Sequence, residues 1–370
     1  MVLPECVRRS CQMHRGNKMA TRLTWGLLIA TKDRIGPLEQ CVSLALAQSR
    51  PPTEIVVADS SDDWQAHRDR IAALVADHPG IRFVYLQGAA PSLTIQRNQT
   101  LAEARADIAF MIDDDSFMHP TCAERIMQIY EADTQGLLAG VQANESRDNP
   151  AAGPVGARKT GDADLSRIGG RSRFMRWFMA RVLMRSKVDV FVPYDKVFRA
   201  GPLPESLSSL PISPAEMFGG FRMTFRREVI AREGFDPCLR FYCPGEDLDA
   251  SYRAARHGAL VSARDAMLYH HASATNRLKR QQVAHLWSFN QAVLLRRHAA
   301  DQDWARRAWR RKMGHRIATD LLKDSLMRRF DFPQTRGSWR AWREGRAVFD
   351  LPPQDLEAWY RPVQDRIVKG

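Results

Sequence analysis

From residue 23 onward the chain repeats one pattern: a short apolar run that reads as a buried strand, a polar loop, then a segment with apolar residues at helical spacing. Residues 23–30 form the first run. The loop 31–36 follows, then a helical pattern over 37–48 that Pro51 and Pro52 end. Residues 54–58 are the second strand, carrying Asp59 at its carboxyl end before Ser60, Ser61, Asp62 and Asp63, all good helix-capping types. A strand at 81–86, a helix at 92–105, a strand running from 107 to Asp113 and a helix at 120–131 continue the series. Such β-α repetition predicts an α/β fold: a mostly parallel, Rossmann-like sheet flanked by helices, with its ligand site at the carboxyl ends of the strands. Asp59 and Asp113 both fall there.

The fourth strand ends in three acids, Asp113, Asp114 and Asp115. Like charges this close are costly in a dry site unless a cation is shared. Asp113 and Asp115, one residue apart, can point to the same side of an extended segment, and their hard oxygens suit Mg²⁺ or Mn²⁺. A solvated acidic turn capping the strand accounts for the same residues equally well.

Charge and cysteine content narrow the setting. Residues 275–370 hold 21 Lys/Arg against 10 Asp/Glu, and residues 1–22 hold five against one, so the overall +13 belongs to the two ends. That suggests an anionic surface as partner, such as a phospholipid membrane or acidic glycan. Nucleic acid is not expected, because no recognition motif accompanies the charge. The six cysteines (Cys6, Cys11, Cys41, Cys122, Cys238 and Cys243) form no CxxC pair, which points to a reduced compartment and away from a zinc site. The longest charge-free stretch, 281–295, is too short and polar to span a bilayer. A cytoplasmic protein, peripheral at the inner membrane face, is the expectation. Neither GxGxxG nor a Walker A sequence is present, so nicotinamide and P-loop chemistry are not expected.

Four segments in order, the run around Asp59, Gln-Arg97-Asn98, Asp113-Asp-Asp115, and Gly245-Glu246-Asp247-Leu-Asp249, resemble the signatures of family 2 glycosyltransferases of the GT-A fold, over about residues 23–274. The resemblance implies an inverting transfer of sugar from a nucleotide diphosphate sugar, with a UDP-sugar favoured, to a glycan or lipid-linked acceptor. It further implies that Asp59 holds the nucleobase, Arg97 supports base or diphosphate, Asp113 sits near ribose and metal, and Asp115 ligates Mn²⁺ or Mg²⁺. Asp114 would turn away. A helix cap for Asp59 and a surface position for Arg97 are the plain structural alternatives.

Asp247 falls in the first turn of a helix whose apolar stripe is Leu248, Tyr252 and Ala255, and there the helix dipole favours the ionised form a general base needs. By the resemblance Asp247 is the catalytic base, with Glu246 contacting the acceptor or sharing that role. Asp249 and Arg253, four apart, read as a structural ion pair. A capped surface helix is the alternative for the whole cluster. His270 and His271 follow a short apolar run, and alternation sends only one ring to the metal, with His270 favoured by the resemblance. By the resemblance, Gly219-Gly220 is a turn that admits the acceptor, with plain turn chemistry as the alternative.

The expected organisation is a disordered basic extension over 1–22, a catalytic domain over 23–274, and a basic helical region over 275–370. The catalytic domain divides into a nucleotide-sugar half (23–143), an insert (144–215) and an acceptor half (216–274). Within the insert, 171–187 shows an apolar face suited to an interfacial helix or a packed one. Metal-dependent phosphoryl or nucleotidyl transfer, and nonenzymatic binding of membrane or polyanion, are the competing functional classes.

Overall fold

The computed structural model describes residues 22–152, 190–200, 203, 205–241, 243–272 and 278–369. The expected basic extension, apart from Arg22, and the amphipathic segment 171–187 lie outside the described residues.

The first half alternates as its pattern predicts: β1 (Trp25–Thr31), α1 (Ile35–Leu46), β2 (Glu54–Asp59), α2 (Trp64–Val75), β3 (Arg82–Gln87), α3 (Leu93–Glu103) and β4 (Ile108–Met111). A short β5 (Ser116–Met118), α4 (Cys122–Ala132) and β6 (Leu138–Ser146) complete it. The remaining strands are β7 (Ile212–Ala215), β8 (Met223–Arg226) and β9 (Ala259–His270), with α5 (Arg227–Glu233) and α6 (Glu246–Ala254) between the last two. The sheet order is β3-β2-β1-β4-β8-β6-β9-β5, with β7 also on β9. The pairs β3-β2, β2-β1, β1-β4 and β6-β9 are parallel, whereas β8 runs antiparallel to both β4 and β6. The result is a mixed sheet in which most strands run in one direction.

Strand β1 is buried on both faces, as a central parallel strand must be. Its alternation sends Trp25, Leu27 and Ile29 into a core with α1, α2 and α4, and Leu28 into a second core with α3, α5 and α6. On α1, Leu38, Cys41, Val42 and Ala45 supply the i, i+3, i+4, i+7 stripe that docks it. Helix α2 begins only at Trp64, and Asp63 at its N-cap makes no side-chain cap bond.

The basic end is helical: α7 (Arg280–His298), α8 (Gln302–Leu326), α9 (Pro333–Glu344) and α10 (Leu356–Lys369). A third core unites these helices with Phe191, Tyr194, Cys238, Cys243 and Tyr252. Trp309 is buried there and its Nε1–H donates to the Ser288 carbonyl at 3.1 Å. No helix among the described residues is long and apolar enough to cross a membrane.

Candidate active site

Each acid of the first cluster takes a different partner. The Asp113–Asp115 turn joins β4 to β5, and it faces the loop after β1. Asp114 is buried, accepting the Thr31 hydroxyl proton at 2.6 Å and pairing with Arg34 at 3.1 Å. Burial pushes its carboxyl up to about 7, against the pull of Arg34. Arg34 also pairs with Asp115. On the other side of Asp115, the His270 Nε2 lies 3.4 Å away. Burial lowers the basicity of His270, but Asp115 more than restores it, so the imidazole sits above its ordinary value.

Register explains which histidine faces the acids. β9 pairs antiparallel to β5 with His270 opposite Ser116, so its ring turns toward Asp115 and stacks on Phe221 at 4.5 Å. His271 turns away onto Phe117, while its backbone N–H donates to the Asp115 carbonyl at 2.9 Å. Asp113, Asp115 and His270 each offer a ligand atom, all within 4.8 Å of one another. Two carboxylate oxygens and an imidazole are a donor set that fits Mn²⁺ or Mg²⁺.

The second cluster meets the first through Arg97. This residue is 2% exposed, not the surface helix position that its sequence context allowed. Its guanidinium donates to Asp113 Oδ1 at 2.8 Å, to Glu246 Oε1 at 2.8 Å and to the Gly220 carbonyl at 3.2 Å. Thus residues from α3, the end of β4 and the start of α6 converge on one cation. Gly245 precedes α6 with φ +96°, a left-handed conformation that glycine adopts without strain and that turns the chain into the helix. Asp247 then accepts the Gly220 N–H at 2.8 Å and the Leu248 N–H at 2.9 Å, which fixes both carboxylate oxygens.

Burial raises both carboxyls of this pair. Glu246 reaches about 8, with the Asp247 charge adding to desolvation and Arg97 opposing. Asp247 is also raised, while its two backbone donors and Arg97 hold it back. Glu246 therefore holds a proton at neutral pH. Asp249 is committed elsewhere, to Arg253 at 2.8 Å and the Tyr194 hydroxyl at 2.8 Å, the structural ion pair its spacing predicted.

Asp59, at the end of β2, is fully buried. Its oxygens accept from the Ser61 N–H at 2.8 Å, the Ser61 hydroxyl and the Tyr85 hydroxyl at 2.7 Å, and lie 2.8 Å from His67 Nδ1. Beside the acids opens a cavity of about 440 Å³, lined by Thr31, Lys32, Arg34, Asp113, Phe241 and Val368 among others. That size suits a small polar ligand of nucleotide scale.

Several lining or supporting residues escaped the sequence reading. Arg34 and Thr31 sit in a polar loop at a strand's carboxyl end, which was signal enough to consider them. Phe241 and Val368 carry no local signal, since the fold alone brings them to the cavity. Phe241 has φ +63°, rare for an aromatic residue, and its carbonyl accepts the Leu93 N–H at 3.2 Å, which docks the loop on the head of α3.

The sequence profile described as glycosyl transferase family 2 matches residues 27–191, which carry Asp59, Arg97 and the Asp113–Asp115 turn. No curated protein sequence matches the chain. Among solved structures, a mannosyltransferase from Pyrobaculum calidifontis in complex with GDP-Man and Mn²⁺ is similar at 13% identity and TM-score 0.45, with 92% of this chain and 88% of that one covered.

Proposed function

We propose that the chain, whose residues 27–191 match the model of glycosyl transferase family 2, moves a sugar from a nucleotide diphosphate sugar to a hydroxyl of a glycan or lipid-linked acceptor, with inversion at the anomeric carbon. The observation that carries this reading is the Arg97 bridge, which sets a donor-side acid, Asp113, beside the Glu246–Asp247 pair. The donor occupies the 440 Å³ cavity, with its diphosphate toward Arg34, Lys32 and Asp113. Asp59 acts at the nucleobase end. Since its oxygens are engaged, a base reaches it by displacing the Tyr85 or Ser61 hydroxyl. A UDP-sugar is the donor to test first.

Asp247 takes the proton of the acceptor hydroxyl as that oxygen bonds to the anomeric carbon. The bond from that carbon to the diphosphate oxygen breaks on the opposite face, and the nucleoside diphosphate leaves with the electron pair. Gly220 and Leu248 hold the Asp247 carboxylate on line, which leaves little reorganisation for the moment of transfer. Glu246, protonated at neutral pH, donates to an acceptor oxygen or relays the proton. Mn²⁺ or Mg²⁺ bound at Asp113, Asp115 and His270 would neutralise charge gathering on the leaving diphosphate. The reaction takes place in the cytoplasm, with the protein peripheral at the inner membrane face.

The test is slow hydrolysis of a panel of nucleotide sugars by the purified protein in Mn²⁺. Activity with one or more donors, lost with chelator and in Asp115→Ala, supports the reading. Binding of no nucleotide sugar overturns it.

A further inference from the structure

Helix α9 presents two chemically opposite faces. Gly337, Ser338 and Ala341 are buried against α7 and α8, and Gly337 lies so close to the Gln281 carbonyl of α7 that no side chain fits. The outward positions are Arg336, Trp339, Arg340 and Arg343, spaced i, i+3, i+4 and i+7, and all four are exposed. Trp339 is 46% exposed, and the Arg343 guanidinium lies 5.1 Å from its ring. In the turn leading into α9, Phe330 is 73% exposed, beside the exposed Arg328.

A merely solvated basic face would pair its arginines with carboxylates and keep aromatic rings inside. Here Arg336 and Arg340 have no carboxylate partner among the described residues, and Arg343 meets only Glu344, at 3.8 Å. Rings that stand out among unpaired guanidinium groups match an interface where cations meet phosphates and aromatic rings enter the headgroup layer. We infer that the outer face of α9, extended by Arg328 and Phe330, is the surface by which this protein docks on anionic phospholipid. This rests on the membrane-associated part of the proposed function, and it is independent of donor and metal chemistry.

The test is flotation of the full chain with phosphatidylcholine vesicles with and without phosphatidylglycerol. Wild type should float only with the anionic lipid and be released at high salt. The triple variant Arg336→Gln, Arg340→Gln, Arg343→Gln should lose partitioning by roughly 100-fold, at about 5-fold per cation. A control triple of equal charge change on α8, Arg307→Gln, Arg310→Gln, Arg311→Gln, should lose much less. Trp339→Ser should weaken vesicle binding yet leave heparin binding unchanged. Equal losses in the two triples, or an unchanged Trp339→Ser, overturn the assignment of this face while leaving membrane association standing. Failure of wild type to float overturns both. Nucleotide-sugar hydrolysis in solution should be the same in all these variants, so the sugar-transfer reading is tested separately.

Discussion

Arg97 shows how much of the candidate site depends on single charges placed in a dry setting. Its guanidinium balances Asp113 and Glu246 at once, so Arg97→Lys, which keeps the charge but loses the fork, should lower both donor affinity and turnover. Asp247→Asn should leave donor affinity nearly intact and cut kcat by roughly 10²- to 10⁴-fold, since it removes only the proton acceptor. Asp59→Ala should do the reverse, weakening donor binding more than kcat. Calorimetry with a nucleotide sugar, paired with steady-state kinetics, separates these patterns, and donor lost in Asp247→Asn but kept in Asp59→Ala would refute the roles. The raised carboxyl of Asp247 sets a pH limb: turnover should fall as pH drops through a value above the ordinary aspartate range. Stability moves the other way with Glu246. Its folded form holds a proton to about 8 against 4.5 for the ordinary carboxyl, so the folded state binds more protons in that window, and stability declines as pH rises through it. One proton contributes at most about 1.4 kcal/mol per pH unit, and Glu246→Gln should flatten the slope in denaturant titrations.

At the scale of elements, the strands and helices of residues 23–143 were legible because each has a clean period and sharp breakers. The expected helix over 37–48 forms at Ile35–Leu46, shifted because Pro37 is tolerated within a first turn that opens before it. The acids of both clusters were readable from their places at element ends, whereas His270 was favoured over His271 by the resemblance alone. What sequence could not reveal is long-range docking: that β9 returns beside β5 with His270 inward, and that Arg97 is buried. The basic helices were legible as helices, yet their hold on the active-site loops was not. On α7, the Asn290 side chain donates to the Pro244 carbonyl at 3.0 Å, just ahead of Gly245, and accepts the Tyr360 hydroxyl proton at 2.6 Å. Asn290→Ala should therefore cost about 1–3 kcal/mol by leaving buried polar groups unsatisfied. It should also lower kcat with donor affinity kept, because the start of α6 loses its brace; thermal melts alongside kinetics check both. An unchanged kcat in a destabilised variant would make Asn290 a packing residue only.

For the molecule as a whole, a cation bound at the proposed Asp113, Asp115 and His270 site would couple binding to folding. Ions bound only to the native state stabilise it, by about 2.7 kcal/mol at a hundredfold excess over Kd. Mn²⁺ should therefore raise the melting temperature of wild type, and a chelator should reverse it. Asp115→Ala should show no such rise, while Asp249→Asn, outside the Asp113, Asp115 and His270 group, should keep it. A rise of equal size in Asp115→Ala would place the ion elsewhere. The bracing of the active-site loops by distant helices also carries a consequence for biosynthesis. The Cys238 carbonyl accepts from Gln364, 126 residues downstream, and the Pro244 carbonyl from Asn290, 46 downstream. Every strand of the sheet precedes α7 in the chain, so the loop ahead of Asp247, the proposed proton acceptor, gains these two braces only after the sheet residues have been made. Competence for the proposed transfer should thus arrive late in synthesis, and a polypeptide ending before α7 should be inert.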